Sequence, residues 1–163
     1  IIRHEVRSLI ALGVEAIQLD DPWLALLVDA DYREREQIQD VDHEIEMSVR
    51  SVNEVTEGLD DAFISVHLCH AHFDRRHSTR GSYELIIEAL GRMNVDRFAI
   101  ELATPDAGGL DVLKKFPDDK ILGLGAIDHT DKNVETPEIV IQRVENAMQY
   151  VPAERITDRT SVV

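Results

Sequence analysis

The chain has 163 residues, of which 44% are hydrophobic and 30% charged, and it carries a formal net charge of −15. That length suffices for one domain with a real core, and the acidic surplus excludes nucleic-acid binding, which needs a basic face. No apolar run approaches the roughly 18 residues of a membrane span, and with Cys69 as the single cysteine no intrachain disulfide can form, as expected of a cytoplasmic protein.

Ile1 already lies inside a helical pattern, with Ile2, Val6, Leu9 and Ile10 at helical spacing and Gly13 as the stop. The chain is therefore expected to be part of a longer protein. Val14 to Leu19 reads as a strand, closed by Asp20-Asp21-Pro22, where the proline forces a turn. Trp23 to Val28 is an apolar helical turn or short helix, and Asp31 to Asp40 a solvated loop or helix. Val41 to Gly58 reads as a long amphipathic helix with Val41, Ile45, Val49, Val52 and Val55 on one face. A strand follows over Ala62 to Leu68, then a polar loop from Cys69 to Arg80 rich in functional groups.

Ser82 to Arg92 reads as a helix capped by Ser82, and Arg97 to Leu102 as a third strand. Leu110 to Phe116 is a short helix and Lys120 to Ile127 a fourth strand. Thr136-Pro137 opens a helix running to Tyr150, and a last strand lies around Ile156. Alternating strands and helices predict βα units around a parallel sheet. The expected fold is α/β of the (β/α)8 barrel type. Residues 1–163 would form a single partial barrel domain, a little over half of one, because a complete barrel needs about 250 residues. A doubly wound sheet competes, but no glycine-rich phosphate loop follows the first strand.

Strand side chains alternate faces. Phe63, Ser65, His67 and Cys69 therefore share one face, and Ile64, Val66 and Leu68 the other. An imidazole and a thiol two residues apart on one face can hold a soft metal ion such as zinc. A buried cysteine beside a hydrogen-bonded histidine is the alternative. Each strand offers an apolar set for the covering helices. The other set is small or polar and ends in an ionisable tip: Asp20, His67 with Cys69, Glu101 and Asp128. Ligands of barrels and open α/β sheets bind at such carboxyl ends.

IQLDDP at 17–22, VHLCHAHF at 66–73 and STRGSYELIIEAL at 78–90 resemble segments of cobalamin-independent methionine synthase and its single-barrel relatives. NVDRFAIELATP at 94–105, LGLGAID at 122–128 and VETPEIVIQRVENAMQYVPAERI at 134–156 continue the resemblance in order, as the C-terminal half of the catalytic barrel. It implies a zinc-dependent methyltransferase that passes a methyl or alkyl group to a thiol such as homocysteine. His67, Cys69 and Glu101 match three zinc ligands of that family. Zinc there lowers the thiol pKa, so that a thiolate attacks a methyl group carried by a reduced folate.

By the same resemblance Asp20 binds the amino group of homocysteine, against a reading as a turn residue before Asp21-Pro22. His129 lies one residue from the family's catalytic acid histidine. Arg75, Arg76 and Arg80 are candidates for an anionic substrate tail or for solvated loop charges. His70, His72 and His77 lie near the metal pair and would supplement it or stay outside the ligand set. The family's fourth ligand, a cysteine, falls at Val162, and valine cannot coordinate zinc.

An epoxyalkane:coenzyme M transferase-like enzyme is the near alternative, and a catalytically inactive or fragmentary barrel the distant one. The expected partners are small molecules, a thiol and a methyl or alkyl donor, with no nucleic acid and no membrane. A half-barrel exposes two sheet edges, so homo-oligomerisation or completion by an N-terminal half is expected.

Overall fold

The computed structural model describes residues 1–59, 61–74 and 76–158, with backbone alone for His72, Phe73 and Asp158. Among the described residues five strands, β1 (Ala16–Asp20), β2 (Phe63–Leu68), β5 (Arg97–Glu101), β6 (Ile121–Gly125) and β7 (Ile156–Asp158), form one sheet in the order β1-β2-β5-β6-β7. All four pairings are parallel. Each new strand lies beside the one before it. A doubly wound sheet would reverse its order at a switch point, so this is an arc of a (β/α) barrel.

In-register pairing lines up the alternating faces. Ile17, Ile64, Val66, Leu68, Phe98, Ile100, Leu122 and Leu124 form one buried face against the helices. The opposite face carries Gln18 paired with Ser65 and, one step on, Asp20, His67, Ala99 and Gly123 in register, and ends in Glu101 beside Gly125. The predicted parity therefore holds for three of the tips. Asp128 does not join them: β6 stops at Gly125, and Asp128 turns its carboxylate onto the backbone and hydroxyl of Thr130 in the following loop.

The helices are α1 (Ile2–Ala11), α2 (Pro22–Leu26), α3 (Ala30–Arg35), α4 (Val41–Thr56), α5 (Ile87–Leu90) and α6 (Pro137–Ala147). Asp21, Asp29 and Asp40 cap α2, α3 and α4 by accepting from the backbone N–H of Leu24, Tyr32 and His43. Ile45, Val49 and Val52 bury one face of α4. No helix among the described residues is long and apolar enough to cross a membrane.

Two elements differ from expectation. The helix predicted over Ser82 to Arg92 divides into a 3-10 turn at Tyr83–Leu85 and α5, with Ile86, at φ −114° and ψ −13°, as the junction between them. Adjacent β-branched Ile86 and Ile87 resist a continuous helix, and both are fully buried. The loop after β2 is also not structureless: β3 (His72–Phe73) pairs antiparallel with β4 (Arg76–His77) in a small hairpin. Ala71 and Asp74 take φ of 50° to curl it.

Candidate active site at the strand tips

Register sets the site. Asp20 pairs with His67 across β1 and β2, and both side chains leave the inward face. His67 Nδ1 lies 2.9 Å from Asp20 Oδ1. A carboxylate accepts, so Nδ1–H donates and Nε2 keeps its lone pair when the ring is neutral. Leu68 pairs with Ile100, so the next residues, Cys69 and Glu101, stand at one level on adjoining tips. Cys69 is a half-buried thiol.

Glu101 is the buried anion of the site, only 2% exposed. Gly125, its partner on β6, has no side chain to crowd it. A carboxylate at that depth needs positive or donating neighbours, and histidines supply them. His77 Nε2 lies 2.6 Å from Glu101 Oε1, and His77 Nδ1 lies 3.2 Å from Asp106 Oδ2. His129 Nδ1 is 3.9 Å from Glu101 Oε1, and His70 Nδ1 is 3.8 Å from Oε2.

His70 is fully buried, and its tautomer can be read from its neighbours. Gly81 O, 2.9 Å from Nε2, can only accept, so Nε2 carries the proton and Nδ1 faces the Tyr83 hydroxyl at 3.2 Å.

The loop bearing His129 is fixed by charge. Arg143 donates both ends of its fork to Glu135, at 2.8 and 2.6 Å, and also donates to Ala126 O at 2.8 Å. Glu135 Oε2 in turn accepts from Asp128 N–H at 2.8 Å. The Arg143 hydrogen bonds hold the Glu135 carboxyl below its usual range.

The structure thus gathers Glu101, His129 and His77, and separately pairs His67 with Asp20. Among the described residues, His77, Glu101 and His129 are the group whose ligand atoms all lie within 4.8 Å of one another. Of the arginines, Arg76 is exposed on β4, while Arg80 is an exposed side chain 3.6 Å from Asp106 Oδ1. Arg75 and Val162 lie outside the described residues.

The contact between His77 and Glu101 is what sequence reasoning left unassigned. The two are 24 residues apart, and only the hairpin curl brings the imidazole back over the tip of β5. A cluster of loop histidines was the available signal, and it did not single out His77.

Comparison with known proteins bears on this arrangement. The family model described as "Cobalamin-independent synthase, Catalytic domain" matches residues 1–157. A methionine synthase of Saccharolobus solfataricus is 26% identical over 155 residues, 95% of this chain and 39% of that protein. One from Thermococcus kodakarensis is 28% identical over 156 residues, 96% of this chain and 39% of its own. The chain therefore spans about two-fifths of the length of these curated relatives. In fold, it is similar to a B12-independent methionine synthase from a Shewanella species, solved in complex with selenomethionine. The TM-score is 0.74 at 21% identity, over 97% of this chain and 44% of that one.

Proposed function

The chain belongs to the cobalamin-independent synthase catalytic-domain family, and on that premise we propose that it carries part of a site where a thiol such as homocysteine is methylated. The reaction class is nucleophilic displacement: a sulfur–carbon bond forms as the bond from that carbon to its donor, a reduced folate or similar carrier, breaks. The residues present fit a zinc ion in donor chemistry, since an imidazole, a thiol and a buried carboxylate occur at two adjoining tips. His67, Cys69 and Glu101 would hold the ion. When bound, it supplies a Lewis acid that lowers the pKa of a coordinated thiol.

The chain's own groups do the remaining work. Asp20 takes the Nδ1–H of His67, which leaves Nε2 for a ligand role. Asp20 is also 70% exposed, so it can take the ammonium group of an amino-acid thiol. Arg76 and Arg80, both exposed, are suited to an anionic substrate tail. Arg75 has the same proposed role from sequence alone. Burial of Glu101 keeps water from competing with its partners.

The observation that carries this reading is the level shared by Cys69 and Glu101, with His67 oriented by Asp20 beside them. Calorimetric titration of homocysteine into the zinc-loaded chain, in buffers of different ionisation enthalpy, tests it. Binding should release the thiol proton, and Cys69→Ser should abolish the release. Binding without proton release, or none at all, would refute the reading.

A further inference from the structure

We propose that His77, Glu101 and His129 form a divalent-cation site in their own right, of two-imidazole, one-carboxylate chemistry, which does not require Cys69. It does not rest on the thiol-activation reading, although Glu101 is common to both ligand sets.

The first argument is charge. Both ring nitrogens of His77 face carboxylate oxygens, Asp106 Oδ2 at 3.2 Å and Glu101 Oε1 at 2.6 Å. A neutral imidazole carries one N–H, so it can satisfy one of these acceptors and presents a lone pair to the other. The line between Nε2 and Oε1 therefore holds either a proton, on the ring or on the carboxyl, or a cation in its place. The His77 side chain is 1% exposed and that of Glu101 3%, so water does little to screen the two.

The second argument is geometry. Ligand bonds of about 2.0–2.2 Å place tetrahedral donors roughly 3.3–3.6 Å apart. The separations from Glu101 Oε1, 2.6 Å to His77 Nε2 and 3.9 Å to His129 Nδ1, bracket that value. All three ligand atoms already lie within 4.8 Å of one another. Small side-chain rotations would convert the hydrogen-bonded cluster into a coordination shell.

The third argument is support around the ligands. With a cation on Nε2, Asp106 Oδ2, 3.2 Å from His77 Nδ1, would receive the Nδ1–H, the carboxylate–histidine arrangement that orients a metal-binding ring. The Glu135–Arg143 fork pins the loop that carries His129. Each ligand comes from a different element: β4, the end of β5, and the loop after β6. Two nitrogens and one oxygen select zinc, cobalt(II) or iron(II) over calcium and magnesium, which prefer all-oxygen sites. In this site His129 is a ligand rather than the proton donor suggested by its sequence position.

Titration of Zn2+ and Co2+ into the 163-residue chain and its variants tests the proposal. Cys69→Ser should still bind an ion, and its cobalt complex should lack a thiolate-to-cobalt charge-transfer band. In that background His77→Gln and His129→Gln should each weaken binding by more than about 10-fold, since even an outer partner such as Asp106 is worth about 10–100-fold. His129 is the less buried of the two, at 20% side-chain exposure, so its variant reports even where His77→Gln does not fold. Loss of all binding in Cys69→Ser overturns the proposal while leaving the thiolate reading intact, as does unchanged binding in His129→Gln. Binding retained in Cys69→Ser and lost in His129→Gln, with no proton released by homocysteine, upholds the proposal and overturns the thiolate reading.

Discussion

His67 turns its Nδ1 onto the carboxylate of Asp20, 2.9 Å away across the β1–β2 pairing. That single contact gives Asp20 a second task besides any substrate contact, because it decides which ring nitrogen faces the adjoining tips.

Replacing Asp20 by Asn keeps the shape but removes the charge that holds the Nδ1–H tautomer. Zinc affinity at the His67–Cys69 tip should fall about 10–100-fold, read by competition with a chromophoric chelator. Thermal stability should hardly change, because the pair is partly exposed. Unchanged metal affinity would mean that Asp20 does not orient His67.

The Glu135–Arg143 fork should be the main electrostatic support of the His129 loop. Arg143→Ala should cost about 2 kcal/mol in denaturant unfolding, because it leaves a largely buried carboxylate without its cation. The same pair predicts acid sensitivity. The Glu135 carboxyl is held low in the native state by Arg143, so its contribution is fully present above the ordinary carboxylate value of about 4.3. It is lost as pH falls through the lowered native value. An acid titration of stability should therefore be flatter in Arg143→Ala.

Asp21 behaves oppositely. Burial pushes its carboxyl up, outweighing the hydrogen bonds from Leu24 and Ser48 and a backbone contact at Trp23. Between the unfolded value and the raised native one, the native state holds a proton that the unfolded chain has released. The associated stability is present below the unfolded value of about 3.9 and is lost as pH rises through the native one. Asn caps a helix as well as Asp does, so Asp21→Asn should raise the melting midpoint at neutral pH, by about 2–4 °C for each kcal/mol recovered. It should give no gain in acid.

Gly81→Ala should be among the costliest small changes. Gly81 takes φ +148°, and a Cβ there would lie 2.5 Å from the backbone oxygen of Val28. Strain and clash together should cost about 3 kcal/mol. The change should also disturb His70, whose Nε2–H is received by Gly81 O. Circular dichroism melts measure the first effect, and the histidine ring resonances of His70 the second.

Local pattern carried a large part of the fold. The alternation in FISVHLCH and RFAIEL places His67, Cys69 and Glu101 on one face, because period-two geometry is a property of the strand itself. The Asp21-Pro22 and Thr136-Pro137 pairs mark helix starts for equally local reasons. Parity carried too far at Asp128, where β6 had already ended and the side chain bonds within its own loop. The helix expected from Ser82 was broken at Ile86, where core burial of neighbouring isoleucines outweighed helical spacing.

The sequence by itself determined a parallel βα chain with an imidazole, a thiol and a carboxylate at adjoining strand ends, because hydrophobic period and strand register act over a few residues. Only the tertiary structure decided what surrounds Glu101. The β3–β4 hairpin folds His77 back across 24 residues, and the Arg143 fork holds His129 opposite. Neither contact follows from local spacing. Each exists because a buried carboxylate must collect positive partners from whichever elements the fold brings within reach.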